Sequence, residues 1–320
     1  MKIISFITLF FLFSIYNNNT DTFAQSNGRY TIVIHGGAGY ISPDISKEVK
    51  DAYLNSLIRA LVVGKQILID GGTSLDAVEQ VIRFFENDTL FNAGKGAVFT
   101  SIGTHELDAS IMNGSDLSTG AVAGVKIIKN PISLARLVME RTPHVLFAGE
   151  GADNLGMKFE VEIVDNAYFD VFKRYQQWKL KQQEVIKGTV GCVAIDSFGN
   201  IAAGTSTGGL TGKWPGRVGD SPLINAGTYA DNNTCGVSGT GQGELFIRNT
   251  VAYNISALMK FKNYTLEEAA QEIVFNVLPE GSGGIIAVDK DGNFSLTFNT
   301  TSMLRGVANS EGIFETAIWK

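Results

Sequence analysis

Residues 187–209 read KGTVGCVAIDSFGNIAAGTSTGG. Two short runs rich in small apolar and β-branched residues flank DSFGN (196–200), a cluster of turn-forming residues, so the segment reads as two strands joined by a turn. Immediately before it stands QQWKLKQQEV (176–185), rich in Gln and Lys and without strand alternation. The Gly188-Thr189 step therefore joins a polar stretch to an apolar β segment. Two readings are open there: a loop entering a strand, or a place where the chain is cut.

The surrounding sequence extends the pattern in both directions. YTIVIHGGAG (30–39) is a short β-branched strand ending in glycines. SKEVKDAYLNSLIRALVVGKQILIDGG (46–72) predicts a long amphipathic helix with Val49, Tyr53, Leu57, Leu61 and Leu68 on or near one face, ended by Gly71-Gly72. TSLDAVEQVIRFFEND (73–88) predicts a second helix, with Thr73 and Asp76 at capping-box spacing and Ala77, Val78, Val81, Ile82 and Phe85 as its apolar face. Strands resume in HELDASIMNG (105–114) and GAVAGVKIIKN (120–130), with a turn at Asn113-Gly114 between them, and PISLARLVMERT (131–142) starts a helix at a proline. From about Val161 to Lys187 no clean periodicity survives, and this stretch reads as a linker. Beyond the 187–209 segment come two helices, ELFIRNTVAYNISALMK (244–260) and TLEEAAQEIVFNVL (265–278), and a hairpin, GGIIAVDKDGNFSLTFNT (283–300). Connections of hairpin type favour an α+β fold, helices on antiparallel sheets, over a doubly wound parallel sheet.

Bulk composition limits the function classes. A chain of 320 residues that is 44% hydrophobic can bury a full core. A net charge of -6 and the lack of a Lys/Arg cluster argue against nucleic acid as a partner. At the N-terminus, Lys2, the apolar run IISFITLFFLFSIY (3–16) and the polar NNNTDTFAQS (17–26) have the layout of a secretory signal cleaved after Ala24. That layout predicts a secreted or periplasmic protein. No later segment is expected to cross a membrane, which leaves the mature form without a membrane partner. The two cysteines, Cys192 and Cys235, lie in β-like segments; an oxidising compartment leaves a pairing open, and the reading favoured is two small buried hydrophobes.

Familiar catalytic patterns are mostly missing. The small number of histidines, His35, His105 and His144, argues against a multi-histidine metal site, and HELDA lacks the second His of a metalloprotease helix. GTGQGE (239–244) has no βαβ context for a dinucleotide, and neither a GxSxG elbow nor a Walker-type run occurs. What remains is a density of Thr, Gly and Asn without a histidine base nearby. A threonine can be activated by its own α-amino group, whose pKa of about 7.7–8.0 suits proton transfer near neutral pH. That amine exists only once the preceding peptide bond is broken. Gly188-Thr189 would then be the cut that makes the enzyme, with Gly188 tolerating the strained backbone of the attack.

The segment GTVGCVAIDSFGNIAAGTSTGGLTGKWPGRVGDSPLINAGTYADN (188–232), with HGGAG (35–39), LFNAGKGAVFT (90–100) and HELDASIMNG, resembles the isoaspartyl peptidase/L-asparaginase family of N-terminal-nucleophile hydrolases. The similarity runs from about Tyr30 to Lys320. It implies a four-layer αββα sandwich cut into an α subunit (25–188, with the linker at about 161–188) and a β subunit (189–320). The two would form one domain and assemble as (αβ)2. It implies hydrolysis of β-aspartyl dipeptides and L-asparagine. Thr189 would be the nucleophile, tuned by Thr207. Arg217 would grip the substrate α-carboxylate and Asp220 the α-ammonium, while the Thr240 hydroxyl and Gly241 N–H would form the oxyanion hole and Asn92 would be an active-site asparagine. No cofactor is implied for catalysis. A structural sodium ion is implied on backbone carbonyls of about Phe84 to Lys95. Glycosylasparaginases share GRVGDSP (216–222) but typically carry an acidic residue where this chain has Gly188. A secreted binding protein on a dead hydrolase scaffold would be expected to lack Thr189 or Arg217, and both are present.

Overall fold

The computed structural model describes residues 28–180 and 186–320. In chain order the strands are β1 (Thr31–Gly39), β2 (Leu107–Asn113), β3 (Thr119–Val125), β4 (Leu146–Ala148), β5 (Ile186–Lys187), β6 (Val190–Ile195), β7 (Ile201–Thr207), β8 (Thr228–Ala230), β9 (Cys235–Gly241), β10 (Gly283–Asp289), β11 (Phe294–Ser295), β12 (Ser302–Asn309) and β13 (Phe314–Trp319). The helices are α1 (Lys47–Ile69), α2 (Ser74–Glu86), α3 (Pro131–Arg141), α4 (Gly149–Lys158), α5 (Phe172–Lys179), α6 (Gly243–Arg248), α7 (Val251–Lys262) and α8 (Leu266–Gln271).

β6 and β7 are the antiparallel pair expected around DSFGN, with Val190 opposite Ser206 and Ile195 opposite Ile201. They lie inside a sheet of order β13-β12-β1-β6-β7-β2-β3-β4, with β5 beside β1, and a second sheet runs β11-β10-β9-β8. The ladders are antiparallel except β3 with β4. Helices α1, α2 and α3 cover one face of the large sheet; its other face meets the small sheet, whose outer side carries α7 and α8. This is the expected αββα order. Alternation along each strand divides the apolar residues between two cores. Ile32, Ile34 and Cys192 point to the helices with Leu57, Leu61, Val81 and Phe85, whereas Val33, Val193 and Ile195 point to the small sheet with Val237 and Ile286. Both faces of β6 are covered, which is why its sequence runs apolar without a break.

Several local expectations are corrected. In α1, Tyr53, Leu57, Leu61 and Leu68 are buried, but Val49 is exposed with the rest of the first turn, ahead of the packed face. By length and composition α1 could cross a membrane, contrary to the expectation for segments after the leader; its apolarity is that of a core helix packed on β1, β12 and β13. The stretch from Val161 is only partly linker-like. A bridge joins Ile163 to Ile128, Phe169 is fully buried, α5 follows, and Arg174 Nε donates to the Gly96 carbonyl at 2.9 Å. The expected helix over 244–260 is two, α6 and α7, broken where Thr250 takes a left-handed conformation (φ 47°). α8 has a full capping box between Thr265 and Glu268 and passes into a π-turn over Glu272–Val277. The signal segment (1–24) and residues 181–185 of the linker lie outside the described residues.

Candidate active site

β5 pairs with β1 through Ile186 opposite Gly39 and Lys187 opposite Ala38, and β6 resumes that ladder with Gly191 opposite His35. Between those points Gly188 and Thr189 lie off the β1 ladder, yet both are buried. Thr189 Oγ1 donates to Thr207 Oγ1 at 3.2 Å. Thr207 donates in turn to the Gly188 carbonyl at 3.1 Å and accepts from the Gly209 N–H at 3.0 Å. One hydroxyl, placed by the last residue of β7, thus touches both the threonine oxygen and the carbonyl of the peptide bond just before it.

Asn92 stands behind this pair. Its Nδ2 donates to the Gly209 carbonyl at 2.7 Å, its Oδ1 accepts from Val98 N–H at 3.0 Å, and its own carbonyl accepts from Gly208 N–H at 3.1 Å. It therefore fixes the turn after β7. It also crowds Gly188, where a Cβ would stand 2.9 Å from Asn92 Cβ. A residue larger than glycine before Thr189 would displace this wall.

Arg217 and Asp220 reach the same place from the loop after β7. Arg217 Nε and Nη2 both donate to Glu244 Oε1, at 3.0 and 2.8 Å. Asp220 is buried and its Oδ2 has no hydrogen-bond partner among the described residues. Burial pushes its pKa up to about 7, with Arg217 pulling the other way. The two groups converge at Gly243, where a Cβ would lie 2.8 Å from Asp220 Oδ1 and 3.1 Å from Arg217 Nη2. A buried carboxylate beside a guanidinium held by another acid is not a closed ion pair, and such a pair has the chemistry to take a group carrying both charges. The loop is held from below by the acids of HELDA: Glu106 Oε2 accepts from Gly216 N–H at 2.8 Å, and Lys213 Nζ donates to the Glu106 carbonyl at 2.9 Å and stands 3.9 Å from Asp108.

At the end of β9, Thr240 Oγ1 accepts from the Ala38 N–H at 3.2 Å, tying β9 to the HGGAG segment. Gly188, Thr189, Thr207, Arg217, Asp220, Gly241 and Gly243 line one small, partly open space of about 10 Å³, room for about one water. Larger clefts of about 420 and 650 Å³ lie elsewhere; in the first, Arg136 is already held by Asp76, Glu79 and Glu140.

Of the anticipated residues, Thr189, Thr207, Arg217, Asp220 and Gly241 line this space with Gly188, whereas Asn92 supports its wall and Thr240 lies outside the lining, held to Ala38. Sequence reasoning missed Glu244, although it closes the GTGQGE motif. It also expected no histidine near Thr189; His35 is in fact bonded to the Thr189 carbonyl, Nδ1 to O at 2.8 Å. The β1–β6 register that brings them together is not visible in either motif alone. Cys192 and Cys235 are free and buried, as small hydrophobes.

Comparison with known proteins shows the family. The asparaginase family model matches residues 28–318. The chain is 46% identical to an isoaspartyl peptidase of Escherichia coli K12, over 87% of this chain and 92% of that one. It is 47% identical to an isoaspartyl peptidase of Salmonella typhimurium (87% and 94%) and 41% identical to a human isoaspartyl peptidase/L-asparaginase (85% and 91%).

Proposed function

The chain belongs to the asparaginase family, a family of hydrolases, and from that premise we propose that it cuts itself before Thr189 and then hydrolyses β-aspartyl dipeptides and L-asparagine. The observation that carries the reading is the Thr207 hydroxyl between Thr189 Oγ1 and the Gly188 carbonyl. In the uncut chain Thr189 Oγ1 attacks the Gly188 carbonyl carbon while Thr207 polarises that carbonyl's oxygen. The acyl group moves from nitrogen to oxygen as the C–N bond breaks and the Oγ1 proton passes to the departing nitrogen, and water then hydrolyses the ester. This frees the α-amine of Thr189 and leaves Gly188 as a carboxylate.

The α-amine then takes the Oγ1 proton, and Oγ1 attacks the side-chain carbonyl of the substrate. The Thr240 hydroxyl and the Gly241 N–H stabilise the oxyanion. The proton passes to the departing amine or ammonia, and water releases aspartate from the acyl-enzyme. Arg217 binds the substrate α-carboxylate and ionised Asp220 its α-ammonium, which leaves only the side-chain amide facing Thr189. The 10 Å³ space in the uncut chain is too small for an aspartyl group, so withdrawal of the new Gly188 end is what opens the site. Export with removal of residues 1–24 and pairing of two cut units as (αβ)2 belong to the same proposal.

A structural sodium ion belongs to the same proposal: the carbonyl oxygens of Asp88, Thr89 and Phe91 lie close together around Gly96, an all-oxygen group of the kind a hard cation takes. Those carbonyls would hold it; bound there, the ion would brace the loop that carries Asn92.

The test is release of aspartate from β-Asp-Leu, asparagine, α-Asp-Leu and an Asn-linked sugar. β-Asp-Leu and asparagine should turn over and α-Asp-Leu should not, because its α-carboxyl is consumed. Arg217→Lys should raise KM and lower kcat, since a point charge cannot make the bidentate contact. Equal cleavage of the two Asp-Leu isomers would overturn the clamp, and preference for the Asn-linked sugar would make the protein a glycosylasparaginase.

A further inference from the structure

A line of buried polar groups runs through the apolar layer between the two sheets and ends on Thr189. His35 Nδ1 meets the Thr189 carbonyl at 2.8 Å, and His35 Nε2 meets Ser238 Oγ at 3.0 Å. Ser238 Oγ lies 2.7 Å from Thr205 Oγ1, and Thr205 Oγ1 lies 2.6 Å from Thr228 Oγ1. Thr228 Oγ1 lies 2.8 Å from Ser110 Oγ, which is also 2.6 Å from the Ser221 carbonyl, next to Asp220. The five residues come from β1, β9, β7, β8 and β2, crossing between the sheets, and all are fully buried.

The direction of every bond follows from hydrogen counting. A carbonyl oxygen only accepts, so His35 Nδ1 carries the hydrogen. The neutral ring then accepts at Nε2, so the single hydrogen of Ser238 goes to His35. Thr205 then donates to Ser238 and Thr228 to Thr205, although each also faces a carbonyl, Gly227 at 3.2 Å and Ser221 at 3.4 Å, and Ser110 divides its hydrogen between Thr228 and the Ser221 carbonyl. Burial supports the neutral ring, pulling the His35 pKa down to about 3. The line needs glycine at 191, where a Cβ would lie 2.1 Å from Ser238 Oγ and 2.3 Å from His35 Nε2. This gives HGGAG, TVG and SGTG, three motifs apart in sequence, one common purpose.

We propose that His35, Ser238, Thr205, Thr228 and Ser110 are positioning residues, a one-way hydrogen-bonded line that tethers Thr189 by its main-chain carbonyl and ties it to the segment bearing Asp220. The proposal rests on Thr189 being the N-terminal nucleophile. Thr189 has no ladder partner on β1, and cutting at Gly188 removes its upstream restraint, so as a new chain end it would fray. The His35 bond to its carbonyl fixes the direction of the residue and with it the amine and Oγ1. Before the cut Gly188 still holds Thr189, so self-cleavage depends on the line less than turnover does.

The experiment compares the cut wild type with His35→Leu and His35→Asn, measuring cleavage, kcat and KM on β-Asp-Leu. Asn can place an N–H where Nδ1 stands, and Leu cannot. His35→Leu should still cut, with kcat reduced about 10- to 100-fold and KM within about threefold; His35→Asn should recover most of kcat. A folded, cut His35→Leu with wild-type kcat overturns the proposal, as does one whose loss lies wholly in KM. Independently of turnover, nitrogen NMR of the wild type reads the ring, and three histidines make assignment tractable. The expected state is neutral and protonated at Nδ1 from about pH 5 to 9. A hydrogen at Nε2, or a charged ring at pH 7, overturns the line even if His35→Leu fails to fold. If Thr189→Ala were to turn over substrate, the reading of function would fail instead, and the NMR result would stand.

Discussion

At the scale of single residues, the role proposed for Asp220 sets function against stability. Its carboxyl is buried with an unpartnered oxygen, and its pKa is raised from 3.8 to about 7. A raised carboxyl pKa adds no cost below the unfolded value, and the cost grows with pH until it levels off above the folded value. Asp220→Asn should therefore stabilise the protein above about pH 7, on the order of a few kcal/mol, and leave it little changed near pH 4. Thermal melts at the two pH values check this. The same substitution should raise KM about 100-fold or more, because the substrate ammonium loses its charged partner. In the wild type, kcat/KM should fall as pH drops below about 7, where the free carboxyl takes up a proton; a flat profile from pH 8 to 5.5 would remove Asp220 from the clamp.

The elements themselves were legible wherever local chemistry decides them. DSFGN with its flanking runs gave β6, β7 and their turn, Thr73 caps α2 by accepting from the Asp76 N–H, and Pro131 opens α3. Legibility failed where tertiary packing overrides local pattern. Residues 161–180 show no periodicity because their anchors are scattered single groups, such as Phe169 in the core and Arg174 on the Gly96 carbonyl. The break at Thr250 puts a β-branched residue in a conformation its propensity opposes, which no window of sequence announces. Phe169→Ala should accordingly cost about 3 kcal/mol or more in chemical denaturation, as a core deletion does. A loss under about 0.5 kcal/mol would return the segment to the status of a surface linker. The site follows the same division. Arg217, Asp220 and Thr207 are named through the resemblance their motifs carry, whereas the contacts of Glu244 and His35 come from a loop-to-helix contact and a strand register that only the folded chain displays.

For the whole molecule, the large sheet interleaves the two sides of the Gly188-Thr189 bond. β12, β13, β6 and β7 come from after it and β1, β2, β3 and β4 from before it, in the order β13-β12-β1-β6-β7-β2-β3-β4. β1 lies between β12 and β6, and β2 pairs with β7, so the two sides of the bond cannot part without unzipping three ladders. After cleavage the fragments should co-elute on gel filtration and part only in denaturant; separation in native buffer would contradict a shared core. The cut itself is the central claim, and the intact mass of the purified, incubated protein tests it most directly. The expected result is a fragment of about 14 kDa beginning Thr189-Val190-Gly191 and ending at Lys320, absent from Thr189→Ala. A single uncut chain that turns over β-Asp-Leu at full rate would contradict it.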